Sequence, residues 1–370
     1  MKIGVIKEVK DKENRVALTP DGAKALIAAG HDVLLENNAG SGSGYDNQEY
    51  QALGIEIVTT NEAWKADLVI KIKEPLEQEF QYFSDNILFT YLHLAGVPKS
   101  LTTALIDAGT TAIAYETVES NEGGFFPLLA PMSAVAGNMA ATVGAYYLAN
   151  FNQGKGIQLG RILGERNGKV MVIGNGIVGQ HAAITADGLG ANVFILGRDE
   201  RKFIEQEKSV SDNITFVKST QESIEEHIQD TDLLIGAVLL PGAKAPHLVS
   251  ETMVKQMQAG SVIVDVAIDQ GGCVETSHIT SHTDPIFIKH DVVHYCVSNM
   301  PGAYPRTSTI ALTRATLPYI TTLANQGSSA LRSDKGFVAG VNVCKGHITY
   351  KSVAESLNMG SLYKAFFDID

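Results

Sequence analysis

The sequence has no apolar run long enough to cross a membrane. Among its 370 residues, no stretch approaches the roughly 20 consecutive apolar residues that a membrane-spanning helix needs. The N-terminus, MKIGVIKEVKDKENR, carries charges throughout and has neither an apolar core nor a cleavage site, so it is not a signal peptide. We therefore expect a cytoplasmic protein that does not engage a membrane.

Basic residues and cysteines are also scarce. The chain has 29 Lys and Arg against 41 Asp and Glu, a formal net charge of -12. Nucleic acid and anionic membranes reward clustered Lys and Arg, so neither is expected as a main partner. The three cysteines, Cys273, Cys296 and Cys344, have no C-x-x-C spacing and are expected to be reduced thiols. The length and the hydrophobic fraction of 45% are typical of a soluble protein with two domains.

A glycine-rich turn between two strands is the most informative feature that is present. Lys169–Ile173 predicts a strand, GNGIVG from Gly174 to Gly179 fits G-x-G-x-x-G, Ile177–Gly188 predicts a helix, and Ala191–Leu196 predicts a second strand. A lone glycine motif is weak. This one follows a strand, opens a helix and returns to a strand within about 30 residues, as a dinucleotide-binding unit does. The alternative is an ordinary strand–helix–strand turn without a ligand.

The turn predicts which cofactor is bound. Its first glycine permits the tight turn, its second lets a pyrophosphate approach, and its third lets the helix pack against the strand. The helix N-terminus then offers N–H groups to the phosphates. The acidic residue that usually ends the second strand and holds the ribose is replaced by Gly197, followed by Arg198, which weakens repulsion of a 2′-phosphate. We expect NAD as the main cofactor, with Asp199 or backbone groups at the ribose and relaxed discrimination against NADP.

The rest of the chain alternates strand and helix patterns, which predicts mostly parallel sheets. Helices are predicted from Thr19-Pro20 to Gly30 and from Pro98 to Ala108. The predicted strands before the glycine turn are Ile3–Ile6, Val33–Glu36, Glu56–Val58, Leu68–Ile72, Ile87–Tyr91 and Thr111–Ala114. Those after it are Ile214–Val217, Leu233–Ala237, Ser261–Val266 and His294–Val297.

Two long helices flank the glycine-turn unit. One is predicted from Ser133, as N-cap, to Asn150, and the other from Thr307 to Asn325, with 152–166 as a loop. The simplest layout inserts an NAD-binding domain, 131–306, into a discontinuous substrate domain of 1–130 plus 307–370. The predicted fold class is therefore α/β, with two doubly wound, Rossmann-like domains joined by long helices and the active site in the cleft between them.

Charged side chains at strand ends are the candidates for chemistry. Arg15 follows the first strand and Lys73 ends the fourth, and an Arg–Lys pair suits a substrate carboxylate. The alternative for both, an ordinary solvated loop charge, is favoured by the residues alone. His93 is either a general acid/base or a satisfied core histidine. Asp269, followed by two glycines, is a candidate base or nicotinamide-ribose contact, whereas a structural role is expected for Asp265.

Histidine spacing does not predict a metal site. The pairs His278/His282 and His290/His294 are each four residues apart, but the first lacks the H-E-x-x-H pattern. Asp284-Pro285 also interrupts any continuous helix. We therefore expect no bound metal.

Along nearly its whole length the chain resembles the alanine dehydrogenase family. The matching blocks, which run from Gly4 to Thr313, are GVIKEVKDKENRVALTP, KIKEPL, FTYLHLA, AIAYETV, PLLAPMS with VAG, GAVLLPGAKAP, VIVDVAIDQGGC and HYCVSNMPGAYPRTSTIALT. The resemblance implies reversible oxidative deamination, in which L-alanine, NAD and water give pyruvate, ammonia and NADH. It also implies a homohexamer.

The resemblance implies roles for residues already singled out. Arg15 and Lys73 would hold the substrate carboxylate and carbonyl side, His93 would be the acid/base group, and Asp269 would orient and activate water or ammonia. The implied contacts to the nucleotide are Ser133, Gly174, Gly176, Ile177, Val178, Gly179, Gly197, Arg198, Lys202, Ser219, Val238, Leu239, Val266, Ala267, Ile268, Asp269, Val297, Ser298, Asn299 and Met300.

Two departures and two alternatives accompany the resemblance. Family members usually carry Glu where this chain has Ala134, and Asp where it has Gly197. One alternative is a protein like the NAD-binding subunit of proton-translocating transhydrogenase, which binds NAD without deaminating alanine. The other is a catalytically inactive nucleotide-binding regulator. The intact KEP and LHLA blocks favour the dehydrogenase.

Overall fold

The chain forms two compact units. A computed structural model describes residues 1–208, 210–238 and 245–369. What we call the terminal unit comprises Met1–Met132 and Tyr304–Asp370, and the central unit comprises Ser133–Ala303. Each is built on a largely parallel sheet, so the predicted fold class, α/β with two Rossmann-like domains, is confirmed.

The first 130 residues alternate strands and helices. The strands are Lys2–Val5 (β1), Asp32–Glu36 (β2), Glu56–Val58 (β3), Leu68–Ile70 (β4), Ile87–Thr90 (β5) and Thr111–Ala114 (β6). The helices are Pro20–Ala28 (α1), Asn47–Gln51 (α2), Thr60–Trp64 (α3) and Lys99–Asp107 (α4). The helix α1 begins as the sequence predicts, because the Thr19 hydroxyl accepts the Gly22 N–H at 3.2 Å and Pro20 occupies the first helical position.

The middle of the chain contains the glycine turn. Its helices are Ala130–Tyr147 (α5), Ile177–Leu189 (α6), Phe203–Glu207 (α7), Gln221–Ile228 (α8) and Glu251–Val254 (α9). Its strands are Gly160–Ile162 (β7), Glu165–Asn167 (β8), Lys169–Ile173 (β9), Asn192–Gly197 (β10), Ile214–Lys218 (β11), Leu233–Gly236 (β12), Val262–Asp265 (β13), Ile286–Lys289 (β14) and Val292–Tyr295 (β15).

The C-terminal segment completes the terminal unit. It contains the helices Pro305–Gln326 (α10), Ala330–Ser333 (α11), Lys335–Val338 (α12) and Lys351–Ser356 (α13), and the strands Val341–Cys344 (β16) and His347–Ile348 (β17). The strand β16 pairs antiparallel with β6, so these residues extend the sheet that the first 130 residues begin.

The sheet of the terminal unit has the order β17-β16-β6-β5-β4-β1-β2-β3. From β6 to β3 neighbouring strands are parallel. The order changes direction at β1, so the switch point lies between β1 and β4. In open parallel sheets ligands bind beyond the carboxyl ends of the strands at such a point.

The sheet of the central unit has the order β11-β10-β9-β12-β13-β15-β14, with β14 antiparallel at one edge. In β9, Val170 and Val172 join one buried apolar cluster, while Met171 and Ile173 join another. A parallel sheet covered on both faces reads as a continuous apolar run for this reason. The switch point lies between β9 and β12, directly at the glycine turn.

The long helix α5 starts earlier than the sequence predicts. It begins at Ala130, so the prediction of Ser133 as its N-cap is wrong and Ser133 lies in the first turn. Pro131 explains the difference, because proline in a first turn needs no N–H partner. The small residues of α5 pack within the central unit, since a Cβ on Gly137 would lie 2.9 Å from His181 Cβ and one on Gly144 2.5 Å from Leu233.

Three hairpins of the described chain were missed, and their turns share one cause. In the β16–β17 turn, Lys345 and Gly346 have φ of 43° and 79°. The predicted loop 152–166 contains the β7–β8 hairpin, whose turn residues Leu163 and Gly164 have φ of 50° and 95°. The predicted strand His294–Val297 begins at Val292 instead, after a turn at His290 and Asp291 with φ of 55° and 59°. Such left-handed pairs close tight hairpins, but here they mostly lack the Asn-Gly or Asp-Gly signature.

Candidate active site

The predicted nucleotide-binding residues of the central unit lie mostly beyond the carboxyl ends of its parallel strands. Five predicted residues belong to helices: Ile177, Val178 and Gly179 lie in the first turn of α6, Lys202 in a short 3-10 turn before α7, and Ser133 in α5. Leu239 lies outside the described residues. Those that follow a strand are Gly174 and Gly176 after β9, Gly197 and Arg198 at the end of β10, Ser219 after β11, Val238 after β12, Val266–Asp269 after β13 and Val297–Met300 after β15.

The glycine turn has the shape that a pyrophosphate requires. Gly174 has a φ of 108°, and a Cβ there would collide with the carbonyl oxygen of Ala237. A Cβ on Gly179 would collide with the carbonyl oxygen of Gly174. At Gly176, in contrast, no described atom lies within 4 Å of the Cβ position. The open space at the N-terminus of α6 therefore fits a phosphate group, which the N–H groups of the first turn attract.

The candidate Asp269 lies in a 3-10 turn that directly follows β13. The N–H of Asn299, which has a φ of 57°, lies 3.5 Å from its Oδ2 atom. The turn itself is held by Asp265, the last residue of β13. The buried Asp265 carboxylate accepts N–H groups from Ala267 at 3.2 Å, Cys273 at 3.0 Å and Val274 at 3.1 Å. Asp265 thus fixes the loop that presents Asp269.

Burial and hydrogen bonds act in opposite directions on Asp265. Desolvation, the larger effect, raises the pKa of this carboxyl, while the backbone N–H groups of Val274, Cys273 and Ala267 oppose the rise. The structural role that the sequence predicts for Asp265 agrees with this geometry. A lone charge inside the apolar run VIVDVAI is the signal of such a role, because an unpaired buried charge is too costly to keep.

In the terminal unit, Arg15, Lys73 and His93 follow three neighbouring strands. Arg15 lies in the loop after β1, Lys73 after β4 and His93 after β5, and the sheet order places these strands side by side as β5-β4-β1. Because parallel strands end at one edge, the three side chains belong to the same edge. The substrate-side residues that the sequence singles out therefore share one region of the fold.

The side chain of Arg15 is buried, so the solvated-charge alternative is wrong for it. Only 2% of the side chain is exposed, and the guanidinium donates from Nε and Nη2 to the two oxygens of Glu13 at 2.7 and 2.6 Å. Nη1 lies 3.0 Å from Met132 Sδ. Burial lowers the pKa of Arg15, but the hydrogen bond and charge of Glu13 outweigh it and raise the pKa overall. The guanidinium is a permanent, desolvated positive charge.

The backbone of Lys73 is held by the side chain of Glu8, which the sequence did not predict. The Glu8 Oε1 atom accepts the N–H of Ile72 at 2.6 Å and lies 3.4 Å from that of Lys73. The Thr90 hydroxyl donates to the Lys73 carbonyl at 3.1 Å. Glu8 also pairs with the fully buried ammonium of Lys71 at 2.9 Å. One carboxylate therefore neutralises a buried cation and holds the segment that carries Lys73.

His93 is held in a left-handed backbone conformation by Glu116. Its φ is 48°, a region that costs a non-glycine residue about 1–2 kcal/mol. Glu116 Oε1 accepts the His93 N–H at 2.6 Å, and its two oxygens lie 3.3 and 3.2 Å from the Leu92 nitrogen. The imidazole stacks on Tyr91, with the ring planes 2° apart, and its Nδ1 lies 3.8 Å from Glu116. With 41% of its side chain exposed, His93 is not a core histidine.

Four carboxylates thus fix the segments that carry the predicted site residues, and three of them were not predicted. These three are Glu8, Glu13 and Glu116, each within a few residues of a strand end or of the residue it holds. The sequence offers weak signals for them, because acidic residues are common in loops. Their carboxylates matter because irregular loops leave backbone N–H groups that need acceptors.

The histidines with four-residue spacing have separate surroundings. His294 is buried, with Nε2 2.7 Å from the Thr276 hydroxyl and Nδ1 2.9 Å from the Val292 carbonyl. His290 Nε2 lies 2.6 Å from Glu251, while His278 stacks on Phe287. Among the described residues, no group of three or more His, Cys, Asp or Glu side chains is placed to hold a metal ion. No helix in the described ranges is long and apolar enough to span a membrane.

These features define a class and then a family. Two parallel-sheet units, one with a dinucleotide-type glycine turn at its switch point, are the architecture of nucleotide-dependent oxidoreductases. Residues 140–351 match the model of the alanine dehydrogenase/PNT C-terminal domain, and residues 4–136 match that of the alanine dehydrogenase/PNT N-terminal domain. The chain belongs to the alanine dehydrogenase/PNT family. The resemblance inferred from the sequence blocks is confirmed.

Individual relatives agree with this membership. The chain is 52% identical over 363 residues to "Alanine dehydrogenase 2" of Staphylococcus aureus, covering 97% of each chain. It is 51% identical, with the same coverage, to "Alanine dehydrogenase" of Staphylococcus haemolyticus. A solved structure titled "L-alanine dehydrogenase" is 45% identical with a TM-score of 0.93, covering 97% of this chain and 99% of that one. A transhydrogenase from Sinorhizobium meliloti, 24% identical with a TM-score of 0.79, covers 95% and 99% and shares the fold.

Proposed function

We propose that this protein catalyses the reversible, NAD-dependent oxidative deamination of L-alanine to pyruvate and ammonia. The observation that carries the proposal is the 52% identity to a protein named as an alanine dehydrogenase over 97% of both chains. The family implies a nicotinamide cofactor, and the open glycine turn at Gly176 fits its pyrophosphate. When bound, the nicotinamide would supply the acceptor for the hydride that leaves C2 of alanine.

Arg15 and Lys73 are proposed to hold the substrate. Arginine recognises a carboxylate with two parallel hydrogen bonds, and lysine adds a positive charge. In the structure the Nε and Nη2 atoms of Arg15 are paired with Glu13, so a substrate carboxylate would be held through Nη1 or after this pair rearranges. Glu13 and Glu8 keep the two cationic segments in place before substrate arrives. Such orientation of the reacting carbon contributes several kcal/mol to lowering a barrier.

His93 and Asp269 are proposed to handle protons. Loss of hydride from the amino-acid carbon leaves an iminium, to which water adds before ammonia departs. These steps need a group that takes and returns protons and a carboxylate that orients the nucleophile. The half-exposed His93, whose imidazole stacks on Tyr91, suits the first role. Asp269, on its braced loop, suits the second.

The decisive assay is formation of NADH from L-alanine at alkaline pH. We expect turnover that disappears in His93→Ala, while that variant still binds NADH. A protein like the transhydrogenase subunit, or an inactive regulator, would bind NADH and show no alanine-dependent reduction. Absence of turnover above background in the wild type would remove the proposal, and an unchanged rate in His93→Ala would remove His93 from the mechanism.

A homohexamer in the cytoplasm is proposed from the family resemblance. Exposed apolar side chains on the central unit are available for contacts between copies, since Ile162 and Leu163 at the β7–β8 turn are 48% and 102% exposed and Phe151 is 80% exposed. The small residues of α5, in contrast, are used inside the central unit and give no support. Light scattering of the purified protein tests the assembly, and a monomer would contradict it.

A further inference from the structure

The edge of the nucleotide site beyond β10 has no carboxylate where an adenosine ribose is usually held. The strand ends at Gly197, and a Cβ there would lie 2.5 Å from Asn175 Cγ and 2.7 Å from Phe203 Cε1. The place of an acidic side chain is therefore filled by the Asn175 side chain, which comes from the glycine turn itself. An Asp at 197 does not fit unless Asn175 moves.

Asn175 is fixed in this position. Its Nδ2 donates to Gln206 Oε1 at 2.9 Å, and Gln206 Nε2 donates back to the Asn175 carbonyl at 2.9 Å. Gln180 Nε2 donates to the same carbonyl at 3.0 Å. Three hydrogen bonds from two helices thus keep an uncharged amide where an acid would repel a 2′-phosphate.

The nearest acid is already committed to another partner. Asp199 accepts from Arg201 Nε at 2.9 Å, from Arg201 Nη2 at 3.0 Å and from the Arg201 N–H at 3.2 Å. The carboxylate also caps the 3-10 turn that starts at Glu200. This pair is exposed to solvent, so it lowers the negative potential that Asp199 presents to a 2′-phosphate but does not remove the carboxylate, and the role of Asp199 at the ribose stays a prediction.

Two exposed cations among the described residues, Arg198 and Lys202, follow the end of β10. Arg198 follows the strand end directly and its side chain is exposed. Lys202 is also exposed, and its N–H bonds to the Asp199 carbonyl at 3.1 Å, so the chain turns back at this point. Arg201 and Lys218, in contrast, are paired with Asp199 and Glu200. Arginine beside the end of this strand is the arrangement that accommodates a 2′-phosphate.

We infer that the adenosine end of the site binds the 2′-phosphate of NADP(H) through Arg198, with Lys202 assisting, and that the protein binds NADP(H) at least as tightly as NAD(H). This inference rests on the proposed function, because it presupposes a nicotinamide nucleotide on the glycine turn. It extends that NAD-dependent function to the phosphorylated form of the same cofactor. The chemistry is charge-assisted hydrogen bonding between a guanidinium and a dianionic phosphate monoester.

Direct binding tests the inference without relying on turnover. Calorimetric titration compares ADP with 2′,5′-ADP, which differ by the relevant phosphate, and fluorescence titration compares NADH with NADPH. The variants are Arg198→Ala, Lys202→Ala and the control Lys255→Ala, which removes the same charge from an exposed position paired with Glu251. All three positions are at the surface, so folding is retained.

For the wild type we expect 2′,5′-ADP and NADPH to bind at least as tightly as ADP and NADH. Arg198→Ala should weaken both phosphorylated ligands by about tenfold to a hundredfold, the contribution typical of hydrogen bonds to charged groups. NADH and ADP should change less than threefold, as should every ligand with Lys255→Ala. The reciprocal double variant Asn175→Gly/Gly197→Asp, which makes room for the acid, should weaken NADPH relative to NADH.

Other outcomes separate two failures. If ADP and NADH bind but NADPH binds more weakly than NADH, the inference is overturned and the proposed function stands. The same holds if Arg198→Ala affects NADH and NADPH equally. If none of the four ligands binds, the glycine turn does not take a nicotinamide nucleotide, and the proposed function falls together with the inference.

Discussion

Removing the Glu116 carboxylate should lower the activity that depends on the proposed acid/base group, His93, although His93 itself is unchanged. Glu116 accepts the N–H of His93 at 2.6 Å and lies 3.2 Å from the Leu92 nitrogen. Hydrogen bonds to a charged acceptor contribute about 1.5–3 kcal/mol each, so the pair supplies at least about 3 kcal/mol. This exceeds the cost of about 1–2 kcal/mol for the left-handed backbone of His93. Without the carboxylate, the loop should relax and carry the imidazole away.

The expected loss of turnover follows from these magnitudes. Without the carboxylate, the left-handed conformation of His93 is uncompensated by about 1–2 kcal/mol, so its population falls about fivefold to thirtyfold, because 1.36 kcal/mol is a factor of ten. We therefore expect kcat for L-alanine to fall about tenfold in Glu116→Ala and by less than that in Glu116→Gln, whose amide oxygen keeps one acceptor. The dissociation constant of NADH should not change, since the glycine turn belongs to the other unit. Glu122→Ala, which removes an exposed acid from the next loop, is the control.

A double-mutant cycle decides whether Glu116 acts through His93. Any residual turnover of His93→Ala, measured at raised enzyme concentration, proceeds without the imidazole, so adding Glu116→Ala should lower it no further. Steady-state rates measure the four proteins, and NADH fluorescence checks that each still binds the nucleotide. An undiminished effect of Glu116→Ala on the residual turnover of His93→Ala would refute the reasoning, as would a Glu116→Ala rate equal to that of the wild type.

Three further predictions concern the central unit. Gly176→Ala should fold normally but weaken NADH binding in a fluorescence titration, whereas Gly179→Ala should lower the melting temperature, because its Cβ collides with a backbone carbonyl; the reverse pattern would contradict the assignment. Asp265→Asn replaces one acceptor by a donor facing N–H groups, so urea unfolding should show a loss of about 1–3 kcal/mol, and none would mean that the loop is held otherwise. Burial lowers the pKa of His294 to about 4. The unfolded chain therefore takes up this proton at a higher pH than the folded protein, so about 3 kcal/mol of folding stability is present above pH 6.5 and is lost as the pH falls towards 4. Denaturation of His294→Asn at several pH values should show its loss of stability relative to the wild type shrinking over that range.

Periodicity and glycine chemistry predicted much of the fold. Buried parallel strands read as short apolar runs, so β9, β10 and β12 were found with ends correct to within a residue or two. Hairpins were harder, because the turns at Leu163 and at His290 use residues that rarely adopt positive φ. Their left-handed conformation is imposed by strand pairing and does not follow from local preference.

The site was predictable only where function demands a charged residue at a strand end. Arg15, Lys73, His93 and Asp269 all follow strands, which is where parallel sheets place ligands. The carboxylates that hold these residues in place were not predicted, because the conformation of each loop decides which backbone N–H group donates to a glutamate. Glu8 is the clearest case, since its contacts to Lys71 and Ile72 cross more than 60 residues of sequence.

The substrate-side residues are held by largely buried carboxylates, whereas the residues at the adenosine end are exposed. This difference explains how cofactor choice can differ while substrate chemistry is kept. A carboxylate fixes each of Arg15, the backbone of Lys73, His93 and the Asp269 loop. Removing that carboxylate would leave backbone N–H groups or a buried cation without a partner. Substitution there disturbs the fold as well as the chemistry. Arg198 and Lys202 lie exposed at the end of β10, where exchanging a side chain changes little but the local charge. At Gly197 no carboxylate holds the backbone, and the Asn175 amide occupies the space that an acidic side chain would need. An acid at this position can therefore be replaced without disturbing a braced loop. A change in affinity for a 2′-phosphate is therefore open to a few substitutions at this edge, whereas a change of substrate requires rebuilding the braced loops.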